Sequence, residues 1–280
     1  MIKIMTDMSA DITKEQAEQY GISVLPFYIN CGEESILADI DYTPQMFYEK
    51  LKNSEELPAT SQATPELLEN MYRAQGKENQ IIHITIPENS SGVVNTARMV
   101  SADLAEEGFD ITIVSSSVFS YGTGANVVEA AKMALDGASK DEIVQFLNDR
   151  FEKDKVYFIV DDLSTLKKGG RIKATTMVVS AMLDIKPILC SNDGMVEAFA
   201  KVKGMKRAMA KLVDCVEENI ADPETTEVVV LNADCPEKSE MLKNMIAERL
   251  GTSNFKTAEV GPIITCHAGV GVFGVYFKHK

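Results

Sequence analysis

Tryptophan is absent from this sequence, and histidine occurs only 3 times in 280 residues. The 5 cysteines include no C-x-x-C pair, which argues against a disulfide framework and against a structural zinc site. No apolar run approaches the roughly 20 residues that cross a bilayer. The amino terminus lacks the basic and apolar regions of a signal peptide. We therefore expect a soluble protein of the reducing cytoplasm.

Several catalytic and cofactor motifs are also missing. The sequence has no G-x-S-x-G elbow, no P-loop and no H-E-x-x-H pair. Gly122 and Gly124 begin like a dinucleotide-binding loop, but Val127 stands where the third glycine of that pattern belongs. We interpret the two glycines as the start of a helix. No catalytic residue, cofactor or bound metal is expected.

Acidic side chains outnumber basic ones by 42 to 28, which gives a formal net charge of -14. This charge disfavours non-specific binding to nucleic acid, so no nucleic-acid partner is expected. Lys201, Lys203, Lys206 and Arg207 form a local basic cluster against this trend. Their pattern is more typical of a solvated helix face than of a binding surface.

Short β-branched runs alternate with helical patterns over the first part of the chain. Because strands that alternate with crossover helices form βαβ units, this pattern predicts a parallel sheet. The predicted strands are residues 2–5, 23–28, 81–85, 111–114 and 156–160, and the predicted helices are 13–20, 65–74, 125–135 and 141–151.

Beyond residue 160 the pattern changes. Apolar runs on both sides of the Asp193-Gly194 pair predict a hairpin. Helices at 207–220 and 238–250 and strands at 228–232, 257–260 and 272–277 complete a mixed unit. We predict an α/β fold of two domains with the ligand between them. The first is an N-terminal parallel-sheet α/β domain over residues 1–160, and the second is a C-terminal mixed-sheet α/β domain over residues 161–280.

Small hydroxyl side chains stand at the ends of predicted elements. Thr60 and Ser61 precede a predicted helix, and Ser91 and Gly92 follow a predicted strand. Ligands of α/β sheets sit at such places, where hydroxyls and free helix amides can receive an anion. Taken alone, Thr60 and Ser61 are explained better as helix caps, and only the two segments together make an anion site an equal interpretation. Both interpretations stay open at this point.

Two further segments could complete a site for an anionic head group. Gly169 and Gly170 leave room for a tight turn that presents Arg171, whose planar guanidinium fits a carboxylate or a phosphate. His267 lies in a predicted loop before the last strand and can donate a hydrogen bond or carry a proton near neutral pH. A flexible linker and a structural histidine are the simpler explanations.

Two other classes of function compete with ligand binding. Ser91 and His267 could act as nucleophile and base in a small hydrolase or acyltransferase, although no third group is identifiable. A pure interaction module, without a cavity, is the other class. Among 14 methionines, Met177, Met182 and Met195 lie near the glycine-arginine segment and could line a pocket for an aliphatic ligand. Core packing explains them more simply.

Seven segments, in this order, resemble the DegV family of bacterial fatty-acid-binding proteins, and the match covers essentially the whole chain. The stretch that ends in Gly-Gly-Arg-Ile is the most specific of them. Ser115 departs from the family, which commonly has aspartate there, and Lys203 stands where arginine is frequent. The segments are residues 6–11 (TDMSAD), 58–62 (PATSQ), 91–92 (SG), 120–124 (SYGTG), 163–172 (LSTLKKGGRI), 185–189 (IKPIL) and 261–271 (GPIITCHAGVG).

The resemblance implies a non-enzymatic carrier that buries one long-chain fatty acid. It also implies the acyl-carrying subunit of a bacterial fatty acid kinase, which presents the carboxylate to a separate ATP-dependent kinase subunit for conversion to acyl phosphate in phospholipid metabolism. Lys203 and Arg171 would then dock the kinase, and transient contact with a membrane surface suits such a carrier. The residues implied at the carboxylate are Thr60, Ser61, Ser91, Gly92, Arg171 and His267.

Overall fold

The computed structural model describes residues 1–54, 57–161, 163–173, 176 and 185–280. Met177 and Met182 lie outside the described residues. The strands are β1 (Ile2–Asp7), β2 (Ser23–Leu25), β3 (Phe27–Cys31), β4 (Glu34–Ala38), β5 (Ala59–Ser61), β6 (Gln80–Thr85), β7 (Asp110–Ser115), β8 (Val156–Ile159), β9 (Ile185–Asn192), β10 (Met195–Lys203), β11 (Val228–Asn232), β12 (Phe255–Glu259) and β13 (Phe273–Phe277).

Helices cover the sheets and connect most of the strands. Among the described residues, no helix has both the length and the apolar character that a bilayer crossing requires. The helices are α1 (Lys14–Tyr20), α2 (Pro44–Lys52), α3 (Pro65–Ala74), α4 (Val93–Glu106), α5 (Tyr121–Leu135), α6 (Lys140–Lys153), α7 (Ser164–Gly169), α8 (Met205–Asn219), α9 (Pro236–Leu250) and α10 (Pro262–Ala268).

The first sheet contains four parallel strands in the order β2-β1-β6-β7. β6 is buried from Ile81 to Thr85, as expected for a central strand that helices cover on both faces. This confirms the predicted parallel sheet of the N-terminal part. α3 begins at Thr64, whose hydroxyl accepts the Leu67 N–H at 3.2 Å. Thr60 and Ser61 lie earlier, in β5, so neither of them caps this helix.

A small antiparallel sheet, in the order β4-β3-β5, was not predicted. The single predicted strand at 23–28 is divided at Pro26, so that β2 joins the first sheet and β3 joins this one. β4 and β5 are short and largely exposed. They therefore lack the apolar alternation that marks a half-buried strand. β5 matters for function because it carries Thr60.

The third sheet has six strands in the order β10-β9-β8-β13-β11-β12, with one parallel pair, β11 and β12. Asp193 and Gly194 form the two-residue turn between β9 and β10, with φ angles of 49° and 70°. Primed hairpin turns require such positive values, so the predicted hairpin is confirmed. The predicted α/β fold, with a parallel N-terminal sheet and a mixed C-terminal sheet, is therefore confirmed. The boundary at residue 160 remains a prediction, and β8 already belongs to the six-stranded sheet.

The two faces of the six-stranded sheet contact different cores. Val228 and Val230 of β11 pack in a cluster with α8 and α9. Val229 and Leu231 alternate with them and pack in the main core, which also contains β1 and β6. Because successive strand side chains point to opposite faces, β11 contributes to both clusters. The candidate site lies on the side of Leu231.

Candidate functional site

A cavity of about 820 Å³, including the space at its mouth, lies on the main-core side of the six-stranded sheet. Most of its wall is apolar and comes from both the N-terminal and C-terminal parts of the chain. The apolar side chains of the wall are Phe27, Ile86, Phe119, Val156, Phe158, Leu166, Val196, Leu231, Val260, Ile263, Ile264, Ala268 and Val272.

Polar side chains enter this wall from widely separated segments. Thr60, Ser91, Arg171 and His267, all singled out in the sequence, line the cavity. They come from β5, from the turn before α4, from the segment after α7 and from the last turn of α10. Ser90 and Ser120 are the other hydroxyl side chains of the lining. The structure thus brings four of the six predicted ligand-binding residues to one cavity.

Ser61 and Gly92 are not part of the cavity wall. Ser61 follows Thr60 in β5, is exposed and accepts a hydrogen bond from the Asn30 side-chain amide at 2.9 Å. Gly92 precedes α4, where Gln62 lies against it, and a Cβ built on Gly92 would be 3.0 Å from Gln62 Oε1. Their assignment to the carboxylate stays a sequence-based prediction.

Thr60 and His267 contact each other across the fold. Thr60 Oγ1 and His267 Nε2 lie 2.8 Å apart, although 207 residues separate them in sequence. His267 is part of α10, so the predicted loop at this position was wrong. Pro262 in the first turn favours a helix start, because its fixed φ suits that position. Gly269 ends the helix with a φ of 81°.

Burial keeps His267 uncharged at neutral pH. Burial of the ring and, second, the nearby charge of Arg171 lower the pKa of His267 to about 4. At neutral pH the imidazole is therefore a neutral hydrogen-bonding group rather than a carrier of charge. This decides between the two roles that the sequence left open for His267.

Arg171 is fixed by two backbone carbonyls. Its Nε donates to the Ser90 carbonyl at 3.0 Å, and its Nη1 donates to the Gly169 carbonyl at 2.6 Å. Within the described part of the chain, no carboxylate forms an ion pair with Arg171. The guanidinium charge is therefore available to an anion in the cavity.

The turn that carries Ser91 is attached to the β9–β10 hairpin. The Ser90 hydroxyl donates to the Gly194 carbonyl, and the Asn89 amide donates to the Asp193 carbonyl at 2.9 Å. Ser91 Oγ accepts the Val93 N–H at 3.3 Å. This bond uses an oxygen lone pair and leaves the Ser91 hydroxyl proton for a ligand.

The geometry does not favour a hydrolase that uses Ser91 and His267. His267 Nε2 is hydrogen-bonded to Thr60, and no hydrogen bond joins Ser91 to His267 in the described residues. Within the same residues, no carboxylate orients the imidazole ring. A pKa of about 4 also makes His267 a weak general base at neutral pH.

Asp11 and Ser120 support the site, and their connection was not expected from the sequence. Ser120 lines the cavity and donates its hydroxyl to Asp11, which also accepts the Gly261 N–H at 2.9 Å. Asp11 and Ser120 both have positive φ angles, 52° and 56°. They fall in two segments that resemble a family pattern, which was the only available signal. Asp11 thus connects the start of α5 to the start of α10.

The pKa of Asp11 is raised to about 7, mainly by burial and further by the Asp7 carboxylate. The hydrogen bonds from Gly261 and Ser120 oppose this rise but do not outweigh it. Both reach Asp11 Oδ2, whereas Asp11 Oδ1 is buried without a hydrogen-bond partner in the described part of the chain. The uncharged carboxyl is therefore the favoured form below neutral pH.

The basic cluster lies at the end of β10 and the start of α8. Lys201 and Lys203 belong to β10, whereas Lys206 and Arg207 belong to α8, and all four are exposed. None of the four forms an ion pair in the part of the chain that the structure describes. β10 also contributes Val196 to the cavity wall, so one strand connects the cavity to the cluster.

Comparisons with known proteins agree with this architecture. A family model described as the DegV family of uncharacterised proteins matches residues 1–280. The DegV domain-containing protein CPE0026 of Clostridium perfringens is 32% identical over 280 residues, which is 98% of this chain and 96% of that protein.

Two solved structures share the fold. DegV from Bacillus subtilis, described as a fatty acid binding protein, matches with a TM-score of 0.88 and 26% identity, over 100% of this chain and 99% of that chain. The fatty acid binding DegV family protein SAG1342 from Streptococcus agalactiae matches with a TM-score of 0.89 and 25% identity, with the same coverage.

Asp11→Asn tests the buried carboxyl. Because the folded-state pKa is about 7 and the unfolded value is about 3.9, the stability contributed by Asp11 is full below pH 4 and is lost as pH rises to about 7. Relative to the wild type, Asp11→Asn should gain as much as about 4 kcal/mol between pH 4 and pH 8. Urea unfolding across this pH range measures the difference. Asp7 remains in both proteins, and parallel pH curves would exclude an effect of Asp11.

Proposed function

Because this chain belongs to the DegV family, we propose that it binds one long-chain fatty acid in the cavity and acts as a carrier rather than an enzyme. One observation carries the proposal: the wall of an apolar cavity contains hydroxyls, a neutral imidazole and an arginine that has no carboxylate partner among the described residues. An acyl chain and a carboxylate need such surroundings. The relatives that are described as fatty acid binding proteins support the same ligand.

The acyl chain provides the driving force in this proposal. Burial of about fifteen methylenes, at about 0.8 kcal/mol each, contributes about 12 kcal/mol to the free energy of binding before opposing costs are subtracted. Desolvation of the carboxylate opposes it unless several donors receive the head group. The apolar wall would contact the chain, and the polar side chains of the wall would receive the head group.

The hydrogen bonds among the wall residues indicate which groups can donate to the carboxylate. If His267 Nε2 donates its proton to Thr60 Oγ1, the Thr60 hydroxyl is free to donate to a carboxylate oxygen. Ser91 has a free hydroxyl proton, and Arg171 adds positive charge. We infer that Thr60, Ser91 and Arg171 bind the carboxylate and that His267 orients Thr60.

We further propose that a separate ATP-dependent kinase subunit acts on the bound fatty acid. The kinase would transfer the γ-phosphoryl group of ATP to a carboxylate oxygen, which yields acyl phosphate and ADP for phospholipid metabolism. The exposed Lys203 and the half-buried Arg171 would attract this partner. This role belongs in the cytoplasm, where the protein would meet ATP and make transient contact with a membrane surface.

Thr60→Val and Ser91→Ala test the carboxylate site. Each change removes one hydrogen bond to a charged group, a loss of about 1.5–3 kcal/mol. The affinity for a fluorescent fatty acid should therefore fall about tenfold to hundredfold. Ser253→Ala, at an exposed position before β12, is the control and should bind as the wild type does. Wild-type affinity in both site variants would contradict the assignment.

Leu231→Phe tests the position of the acyl chain. The added volume enters the cavity, so affinity should fall more for long fatty acids than for short ones. Val230→Phe is the matched control, because Val230 points into the packed core on the opposite face. It should cost about 1–3 kcal/mol of stability through overpacking and leave the chain-length preference unchanged. Titration of each protein with a series of fatty acids measures the chain-length preference. If Leu231→Phe and the wild type had the same preference, the acyl chain would not lie in this cavity.

Lys203→Glu tests the docking of the kinase. The rate of phosphorylation by an ATP-dependent fatty acid kinase subunit should fall several-fold and lose part of its salt dependence, because a charge at the rim of an interface acts mainly on association. Fatty acid affinity should not change. Lys77→Glu, at an exposed position between α3 and β6, is the control. An unchanged rate for Lys203→Glu would remove Lys203 from the docking surface.

A further inference from the structure

We propose that Gly169 is a positioning residue for the carboxylate site. Its missing side chain admits the His267 ring, and its carbonyl fixes the Arg171 guanidinium. The inference rests on the proposed fatty acid binding, but its structural part concerns contacts that exist without a ligand. One residue of α7 would thus position both the His267 ring and the Arg171 guanidinium at the carboxylate site.

The space for the imidazole depends on the absence of a side chain at position 169. A Cβ built on Gly169 would be 2.9 Å from His267 Nδ1 and 3.4 Å from the Cα and Cβ atoms of His267. Contacts near 3 Å force the neighbouring atoms to move. The obstructed nitrogen belongs to the same ring whose Nε2 contacts Thr60 at 2.8 Å. Displacement of the ring would therefore disturb the contact with Thr60.

The backbone alone does not require glycine at this position. Gly169 is the last residue of α7, and its φ is not positive. The next residue, Gly170, has a φ of 71°, and no atom of the described residues lies within 4 Å of a Cβ built there. Glycine is favoured at Gly170 because it ends the helix in the left-handed conformation. The two adjacent glycines thus have different roles. Gly170 ends the helix, whereas Gly169 leaves space for the His267 ring.

The carbonyl of Gly169 adds the second contact. It accepts a hydrogen bond from Arg171 Nη1 at 2.6 Å, while Arg171 Nε reaches the Ser90 carbonyl. Both bonds end on backbone atoms, so the guanidinium is held by the fold rather than by an anion. A side chain at position 169 would leave the carbonyl in place. The effect of Gly169→Ala should therefore pass through His267 alone.

A double-mutant cycle tests the proposal. Fatty acid affinity is measured for the wild type, Gly169→Ala, His267→Ala and the double variant by displacement of a fluorescent fatty acid. Gly169→Ala should lower the affinity about tenfold, the effect of one lost hydrogen bond. In the His267→Ala background the same change should have no further effect, because residues that act together are not additive. Equal losses in both backgrounds would overturn the inference.

Two further measurements separate this inference from the proposed function. In the ligand-free protein, Gly169→Ala should shift the NMR signals of the His267 ring, whereas thermal unfolding should change little. Gly170→Asn is the matched control, because asparagine tolerates a positive φ and its side chain has free space. It should leave the ring signals and the affinity unchanged. Unshifted ring signals in Gly169→Ala would overturn the inference, and a wild type that binds no fatty acid would refute only the proposed function.

Discussion

The site depends on the attachment of one segment, residues 259–261, to the N-terminal part of the chain. Gln45 donates to the Glu259 side chain, the Tyr48 hydroxyl donates to the Val260 carbonyl at 2.6 Å, and Asp11 accepts the Gly261 N–H at 2.9 Å. α10 begins directly after this segment. These three hydrogen bonds attach the start of the helix that carries His267 to the N-terminal part of the chain.

An acidic protein with a net charge of -14 can receive an anion only where its local charge differs from the average. Around this cavity it does. Arg171 has no carboxylate partner among the described residues, and burial keeps His267 neutral. Asp11, which accepts the Ser120 hydroxyl, has a pKa of about 7 and is therefore partly uncharged at neutral pH. Charges on the remote surface are screened within about 8 Å by physiological salt. The few buried groups therefore decide which ligand charge the cavity accepts.

The parts of the fold with strong local signals were predictable from sequence. β6 is a buried apolar run, and the Asp193-Gly194 pair specifies a hairpin by its backbone preference alone. The small antiparallel sheet gave no such signal, because its strands are short and exposed. His267 was assigned to a loop because α10 has only seven residues between two glycines. Four of the six predicted polar residues line one cavity, and their role at a carboxylate stays a prediction. Thr60 could not be paired with His267 from sequence, since that contact depends on tertiary structure.

The electrostatics of His267 also bear on the difference between a carrier and a hydrolase. A histidine that activates a hydroxyl must take up its proton, which requires a pKa near the working pH and a third group to orient the ring. Burial and Arg171 hold the pKa of His267 at about 4, and the described residues offer no carboxylate for its ring. The pair of Thr60 and His267 can therefore donate hydrogen bonds without generating a nucleophile. For a protein proposed to hold an activated acyl group, a weakly basic imidazole protects that group from attack.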